Sequence, residues 1–219
     1  MVLEKIRKII SRIIRKISRI IKDNKDRKTL GNKNFTIFAS NCIGGVIYHN
    51  LGLKFLSPTI NLWIKPNDYI KMLENPHKYF VSDKMIEVKN SGLPYPVGSI
   101  NGVKIYGQHY DSFKQLKDKW DQRSKRINWD NIYVFFIERD GATKSNLLDF
   151  DKLPYNKVVF TKKNYSDVKS SLVIPKSYDN EHNEVNTLCD NLNRFTGLKY
   201  IDKFDYVNFF NNNEIKLNK

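Results

Sequence analysis

Residues 131–161 read NIYVFFIERDGATKSNLLDFDKLPYNKVVFT, and the order of patterns within them decides the fold. Residues 131–137 (NIYVFFI) are a run of β-branched and aromatic side chains without polar alternation, as expected of a strand buried on both faces. Glu138-Arg139-Asp140-Gly141 breaks the run as a polar turn. Residues 143–149 then read as a helix, and 157–161 (KVVFT) as another buried strand. A strand, a helix and a strand in succession form the unit from which parallel sheets are built.

Working outward, residues 35–39 (FTIFA) are a short buried strand, followed by Ser40-Asn41-Cys42 and a helix over 43–51 that Gly52 ends. Residues 59–64 read as a second strand. Pro66, suited to the first helical position, opens a helix to about Glu74. The stretches 96–100 and 103–107 flank Asn101-Gly102, a strong hairpin signal. Ser112 and Gln115 form a capping-box pattern at the start of a helix to about Arg126. Short helices are expected around 183–195 and 203–211. The expected architecture is an α/β domain: a largely parallel, partly mixed sheet flanked by helices, with one hairpin and a separate N-terminal amphipathic helix.

The formal charge is +15, from 38 Lys/Arg against 23 Asp/Glu. Residues 1–29 hold 11 of the basic and 3 of the acidic side chains, so more than half of the excess sits in that segment. The remainder is mildly basic, which argues against nucleic acid as a partner of the folded domain. Residues 3–22 (LEKIRKIISRIIRKISRIIK) carry eight isoleucines within about 140° of one helix face. Basic residues occupy or flank the opposite face. This is the pattern of a helix lying in the headgroup plane, with Ile6, Ile10, Ile13 and Ile17 entering lipid and Arg12, Lys16 and Arg19 meeting anionic headgroups. The competing reading packs the isoleucines on a partner helix. Residues 23–33 are polar and read as a linker, so the expected organisation is a helix over 1–22, a linker over 23–33 and the α/β domain over 34–219.

No apolar run approaches the ~20 residues that span a bilayer, and the N-terminus lacks the pattern of a signal peptide. Two distant cysteines, Cys42 and Cys189, are not a disulfide framework. The expected location is therefore cytoplasmic, peripheral on the inner membrane face.

Three predicted strand ends carry chemistry. At Ser40-Asn41-Cys42-Ile43-Gly44-Gly45 a thiol stands where a helix N-terminus lowers its pKa, and the glycines allow close backbone approach. A buried, space-filling cysteine is the competing reading. His109 at the end of the hairpin is the histidine best placed as a general base. Asp140 follows the strongest strand and can orient a histidine, though a plain turn explains it as well. Trp120, Arg123, Arg126 and Trp129 mix basic and aromatic groups suited to a sugar or anion, or to packing of an amphipathic helix. No Cys or His pair has metal-ligand spacing, so no metal is expected. Asp149-Phe150-Asp151 has the spacing of a sugar-nucleotide metal motif but reads better as a helix end.

The run NFTIFASNCIGGVIYHNLGLKFLSPTINLWIKPNDYIKML (34–73), with YPVGSINGVKIYGQHY, KWDQRSKRINWDNIYVFFIERDG and LPYNKVVFTKK, resembles a bacterial family catalogued as a domain of unknown function, number nineteen-nineteen. The resemblance covers about residues 34–175, with the helix at 3–22 outside it. Relatives are labelled exopolysaccharide-biosynthesis proteins or acetyltransferases. The resemblance implies an O-acetyltransferase acting on a glycan or lipid-linked glycan, with acetyl-CoA as donor and polysaccharide-assembly proteins as partners. Cys42 would be nucleophile, His109 base and Asp140 its orienter. Asn41, Gly44, Gly45, Tyr110, Arg123 and Arg126 would contact substrate. A non-catalytic partner binding glycan or nucleotide sugar, and a glycosyltransferase, are the alternatives. Ala142 stands where many relatives have cysteine and is given no role.

Overall fold

A computed structural model describes residues 2–81, 84–193 and 195–218, with backbone alone at 2, 3, 5 and 6. Its helices are α1 (Val2–Thr29), α2 (Ile43–Leu51), α3 (Pro66–Glu74), α4 (Pro76–Phe80), α5 (Phe113–Ser124), α6 (Lys144–Lys152) and α7 (Tyr206–Asn212), with a 3₁₀ turn at Tyr200–Lys203. Its strands are β1 (Thr36–Ala39), β2 (Ile86–Glu87), β3 (Val97–Ile100), β4 (Val103–Tyr106), β5 (Ile132–Ile137), β6 (Asn156–Phe160), β7 (Ser171–Leu172), β8 (Tyr178–Asp179) and β9 (Glu184–Val185).

A four-stranded parallel sheet runs β1-β5-β6-β7, and an antiparallel sheet β2-β3-β4 stands beside it. The fold is thus mixed α/β with helices on both faces. Asn101 and Gly102 take positive φ at the β3–β4 turn, the conformation their sequence favours. Gly52 ends α2 in the left-handed region and donates its N–H to the last turn. Thr143 and Asn146 cap α6 reciprocally.

Side-chain alternation splits the core in two. Phe38, Val134, Phe136 and Val159 face α3, α5 and α6, around the fully buried Trp120 and Phe150. Ile37, Ala39, Tyr133, Phe135, Val158 and Phe160 face α2 and α7. Burying each such aromatic or aliphatic side chain contributes about 1.5–3 kcal/mol.

Three expectations are corrected. Residues 59–64 are not a strand: Asn61 takes φ 59°, and Ile60 N–H turns back to the Pro58 carbonyl. Only the end of this segment is extended, where Ile64 N–H reaches the Ser40 carbonyl and Trp63 bridges Tyr106 of β4, so it joins the two sheets. The described residues of 183–195 form no helix; Asn183 and Leu188 have positive φ, and the Asn186 side chain takes the Leu188 N–H. The segment 23–29 is helix rather than linker. Asp23 and Asp26 are buried against the domain and prolong α1 through Thr29.

α1 docks through its polar face. Arg19 meets Asp202 and Asp23, each at 2.5 Å. Asp26 accepts from the Tyr206 hydroxyl at 2.8 Å and pairs with Lys22 at 2.6 Å. Arg27 donates to the Asn50 carbonyl. Burial works against the Arg19 charge, but Asp202 and Asp23 outweigh it and hold its pKa above the ordinary range. Seven isoleucines between Ile9 and Ile21 stay exposed, Ile10, Ile13 and Ile17 among them; the Ile6 side chain lies outside the described residues.

Two substitutions check this packing. A Cβ at Gly44 would stand 3.2 Å from Ile37 and 3.3 Å from Ala39, so Gly44→Val should cost about 1–3 kcal/mol in urea unfolding. Asp202→Ala removes a carboxylate 1% exposed and leaves Arg19 with Asp23 alone. Its expected cost is about 3 kcal/mol by the same measurement, and an unchanged midpoint would show that α1 is not held by this contact.

Candidate functional site

β1 and β5 are parallel neighbours, with Ala39 beside Phe135. Beyond them the chain turns opposite ways: α2 packs on the face of Ile37 and Ala39, and α6 on the face of Val134 and Phe136. Where adjacent parallel strands send their helices to opposite faces, a crevice opens at the carboxyl edge, the usual ligand position in such sheets.

Four segments border this crevice. Ser40, Asn41 and Cys42 leave β1, and residues 138–141 leave β5. Trp63 and Lys65 flank Ile64, which is tied to Ser40. Residues 185–189 close the other side, with Val185 N–H on the Glu138 carbonyl at 2.9 Å and the Asn41 side-chain amide on the Thr187 carbonyl at 3.5 Å.

Asp140 is the best-positioned polar group. It and Gly141 take φ 58° and 82°, a tight turn that sets the carboxylate off the strand end. Its Oδ2 accepts from the Trp63 indole Nε1 at 2.9 Å and from Arg139 Nε at 3.1 Å. Its own N–H donates to Glu184 Oε2 at 2.7 Å. Arg139 also pairs with Glu184 at 3.2 Å and donates to the Val185 carbonyl. Trp63 is half-buried, with its ring centroid 4.3 Å from that of Tyr106. A hollow of about 250 Å³ opens beside Asp140, lined by Lys65, Pro66, Asn67, Asp68 and Gly141.

Cys42 stands at the start of α2, as the sequence suggests, but its chemistry differs from the expectation. Burial pushes its thiol up to about 11. Desolvation outweighs a nine-residue helix's terminus, whose first N–H is already taken by the Asn41 side chain at 3.1 Å. Cys189 lies close enough to interact electrostatically and is itself raised to about 12, chiefly by burial. Both are free thiols.

His109 is exposed on the turn after β4 and makes no hydrogen bond or ion pair among the described residues. No hydrogen bond there links any two of Cys42, His109 and Asp140. Asp140 is oriented by Trp63 and Arg139, not by a histidine.

The residues expected to contact substrate also make structural contacts. Gly44 and Gly45 let α2 approach Ile37, Ala39, Ile60 and Asn61 closely, rather than opening backbone to a ligand. The Tyr110 hydroxyl donates to the Ile60 carbonyl at 2.7 Å and accepts from the buried Arg123 at 2.7 Å, while the guanidinium covers the Phe55 ring. The pair secures the irregular turn near residue 60. Arg126 is half-buried at the end of α5, Trp120 is core, and Trp129 stacks on His77. Asp151 holds Ser170 and Lys169, and Asp149 holds Lys152 and Ser145, so both acidic groups of the Asp-Phe-Asp run are engaged. Among the described residues, no group of three or more His, Cys, Asp or Glu side chains is placed to hold a metal ion.

Trp63 and Glu184 were not singled out by the sequence, whereas Arg139 belongs to the polar turn after the strongest strand. Trp63 is hidden in a stretch that reads as strand, and Glu184 comes from a tail that reads as helix. Glu138, at the start of that turn, is buried and accepts from the Tyr165 hydroxyl at 2.7 Å and Lys162 N–H at 2.9 Å, fixing the strand end beneath Asp140.

The fold is a mixed α/β domain built on a parallel sheet, with a hollow beside Asp140 at the carboxyl edge of β5. The chain belongs to the family described as "Domain of unknown function (DUF1919)", which it matches over residues 13–211. The match reaches back into α1, so from residue 13 on that helix lies inside the family's extent, not outside it. An "Uncharacterized protein" of Haemophilus influenzae (strain ATCC 51907 / DSM 11121 / KW20 / Rd) is 35% identical over 187 residues, covering 84% of this chain and 88% of the relative.

The Cys42 environment has a measurable signature. Alkylation of the native protein should titrate with a midpoint of about 11, well above the ~8.5 of a free thiol. Because the folded-state pKa is raised, the stability this thiol contributes is full below about pH 9 and lost as pH rises toward 11. A thiolate already formed at pH 7 would contradict the burial argument.

Proposed function

We propose that the protein is an acyltransferase, most specifically an O-acetyltransferase, that modifies a glycan or lipid-linked glycan during surface-polysaccharide assembly. The proposed setting is the cytoplasmic face of the membrane, beside other polysaccharide-assembly proteins. The polysaccharide role and acetyl-CoA as donor are supported by the sequence resemblance. The acceptor site is supported by one observation, the Asp140 carboxylate held by the Trp63 indole at the mouth of the crevice. An aromatic face beside a carboxylate suits a sugar, whose ring packs on the indole and whose hydroxyls donate to the oxygens.

In this reading the nucleophile is the sugar hydroxyl, not Cys42, whose thiol stays protonated near neutral pH. Asp140 accepts the hydroxyl proton as the oxygen attacks the thioester carbonyl. The C–S bond breaks, and the departing thiolate of CoA takes up a proton. A second reading, a non-catalytic glycan-binding partner of a membrane glycosyltransferase, is favoured by one detail. Arg139 and Trp63 already occupy Asp140 Oδ2, which suits an orienting carboxylate better than a free base.

The test is transfer from labelled acetyl-CoA to oligosaccharides from the producing cell's own surface polysaccharide, with sugar binding measured in parallel. Asp140→Asn keeps a residue tolerant of positive φ and should lower turnover about 100-fold or more with binding retained. Trp63→Ala should weaken sugar binding about tenfold, and Cys42→Ser should leave turnover near wild type. Binding without turnover in wild type would select the second reading. Neither binding nor turnover would overturn both.

A further inference from the structure

We propose that the outward isoleucine face of α1 is a preformed docking surface for an anionic bilayer, with the helix lying flat on the headgroups and the domain fixed to its opposite side. The inference stands independently of the activity proposed above. An amphipathic helix at the edge of a folded domain ordinarily turns its apolar stripe inward. Here the arrangement is inverted. At about 100° per residue, the positions that meet the domain (Arg15, Arg19, Lys22, Asp23 and Asp26) cluster on the side opposite the isoleucines. Arg15 lies against Gly197, Arg19 pairs with Asp202, and Asp26 accepts from Tyr206. The seven isoleucines from Ile9 to Ile21 are 43–64% exposed. Phe195, itself exposed, borders the same hollow as Ile10 and Ile14 and adds an aromatic ring to the apolar surface.

Charge selects the occupant. The acidic residues of α1 are all engaged: Glu4 with Lys8, Asp23 with Arg19, and Asp26 with Lys22 and Tyr206. The side chains bordering the isoleucines are cationic, with Arg7 and Lys25 on one flank and Lys16 on the other, and Arg12 stands behind Lys16. All four are exposed and form no ion pair among the described residues. Long basic side chains on both edges of an apolar stripe place their charges at headgroup level while the stripe enters the acyl boundary. A second copy of this chain packed on the same face would bring like-charged flanks together. A nucleic acid would neutralise the flanks and leave the isoleucines in water. No described helix is long and apolar enough to cross a membrane, so the contact is peripheral. Because the Arg19–Asp202 ion pair and the hydrogen bonds from Tyr206 to Asp26 and from Arg27 to the Asn50 carbonyl hold the helix on the domain, binding does not have to order it first.

Sedimentation of the full chain with phosphatidylglycerol-containing and pure phosphatidylcholine vesicles tests this. Binding is expected on the anionic vesicles, reduced tenfold or more in roughly 1 M salt, where the screening length falls to about 3 Å. The double variant Ile13→Glu, Ile17→Glu should lose at least about tenfold in partitioning. A variant carrying Arg7→Gln, Arg12→Gln and Lys16→Gln should lose preference for the anionic lipid. All five positions are exposed, so thermal unfolding should match wild type and confirm that each variant is folded. The proposal is overturned if wild type ignores anionic vesicles at low salt, or if the folded glutamate variant binds them as wild type does. It is likewise overturned if sedimentation equilibrium shows a dimer that Ile13→Glu, Ile17→Glu dissociates while lipid binding is absent.

Discussion

Residues 36–39 pair in parallel with 132–135, and the carboxyl edge of the molecule follows from what the chain does next. After β1 it turns to one face of the sheet, and after β5 to the other. Two helices diverging from adjacent strands leave backbone and side chains at the strand ends uncovered by either layer. Asn41, Cys42, Arg139 and Asp140 occupy that gap by topology. The irregular segment ending at Ile64 and the residues around Val185 pack against its two rims through single backbone hydrogen bonds.

Within the gap, competing effects decide the chemistry. A helix terminus favours a thiolate at Cys42, but burial opposes it more strongly and the thiol stays neutral. Asp140 sits in a different setting. Its carboxylate is partly exposed and is oriented by the Trp63 and Arg139 donors. The partly exposed, hydrogen-bonded polar group therefore lies on the β5 side, although the β1 side carries the more conspicuous sequence.

Much of the scaffold was legible because local signals agreed with tertiary context. The apolar run of β5, the Asn101-Gly102 turn, Gly52 after α2 and the Thr143 cap of α6 each express a backbone preference that packing reinforces. The misreadings arose where tertiary partners overrode the local pattern. Residues 23–29 look like a polar linker, yet Asp23 and Asp26 find Arg19 and Tyr206 and prolong the helix. Residues 59–64 alternate like a strand, but Asn61 turns the backbone and only the end pairs. Of the site, Cys42 and Asp140 could be placed at strand ends from sequence. The indole that orients Asp140 comes 77 residues earlier, and no local spacing signals it. His109 stands on an exposed turn, without a hydrogen bond to Cys42 or Asp140 among the described residues.

The loop between Thr187 and Lys199 links the two surfaces, since Thr187 meets Asn41 at the crevice and Gly197 lies against Arg15 of α1. The proposed sugar site lies at the gap between β1 and β5. Hydrogen–deuterium exchange of the full chain, with and without saturating surface-polysaccharide oligosaccharide, tests it most directly. Protection is expected at residues 40–42, 63–65, 138–141 and 185–189, on both rims of the β1–β5 gap. Protection confined to another face of the domain, with these four segments unchanged, would contradict the account.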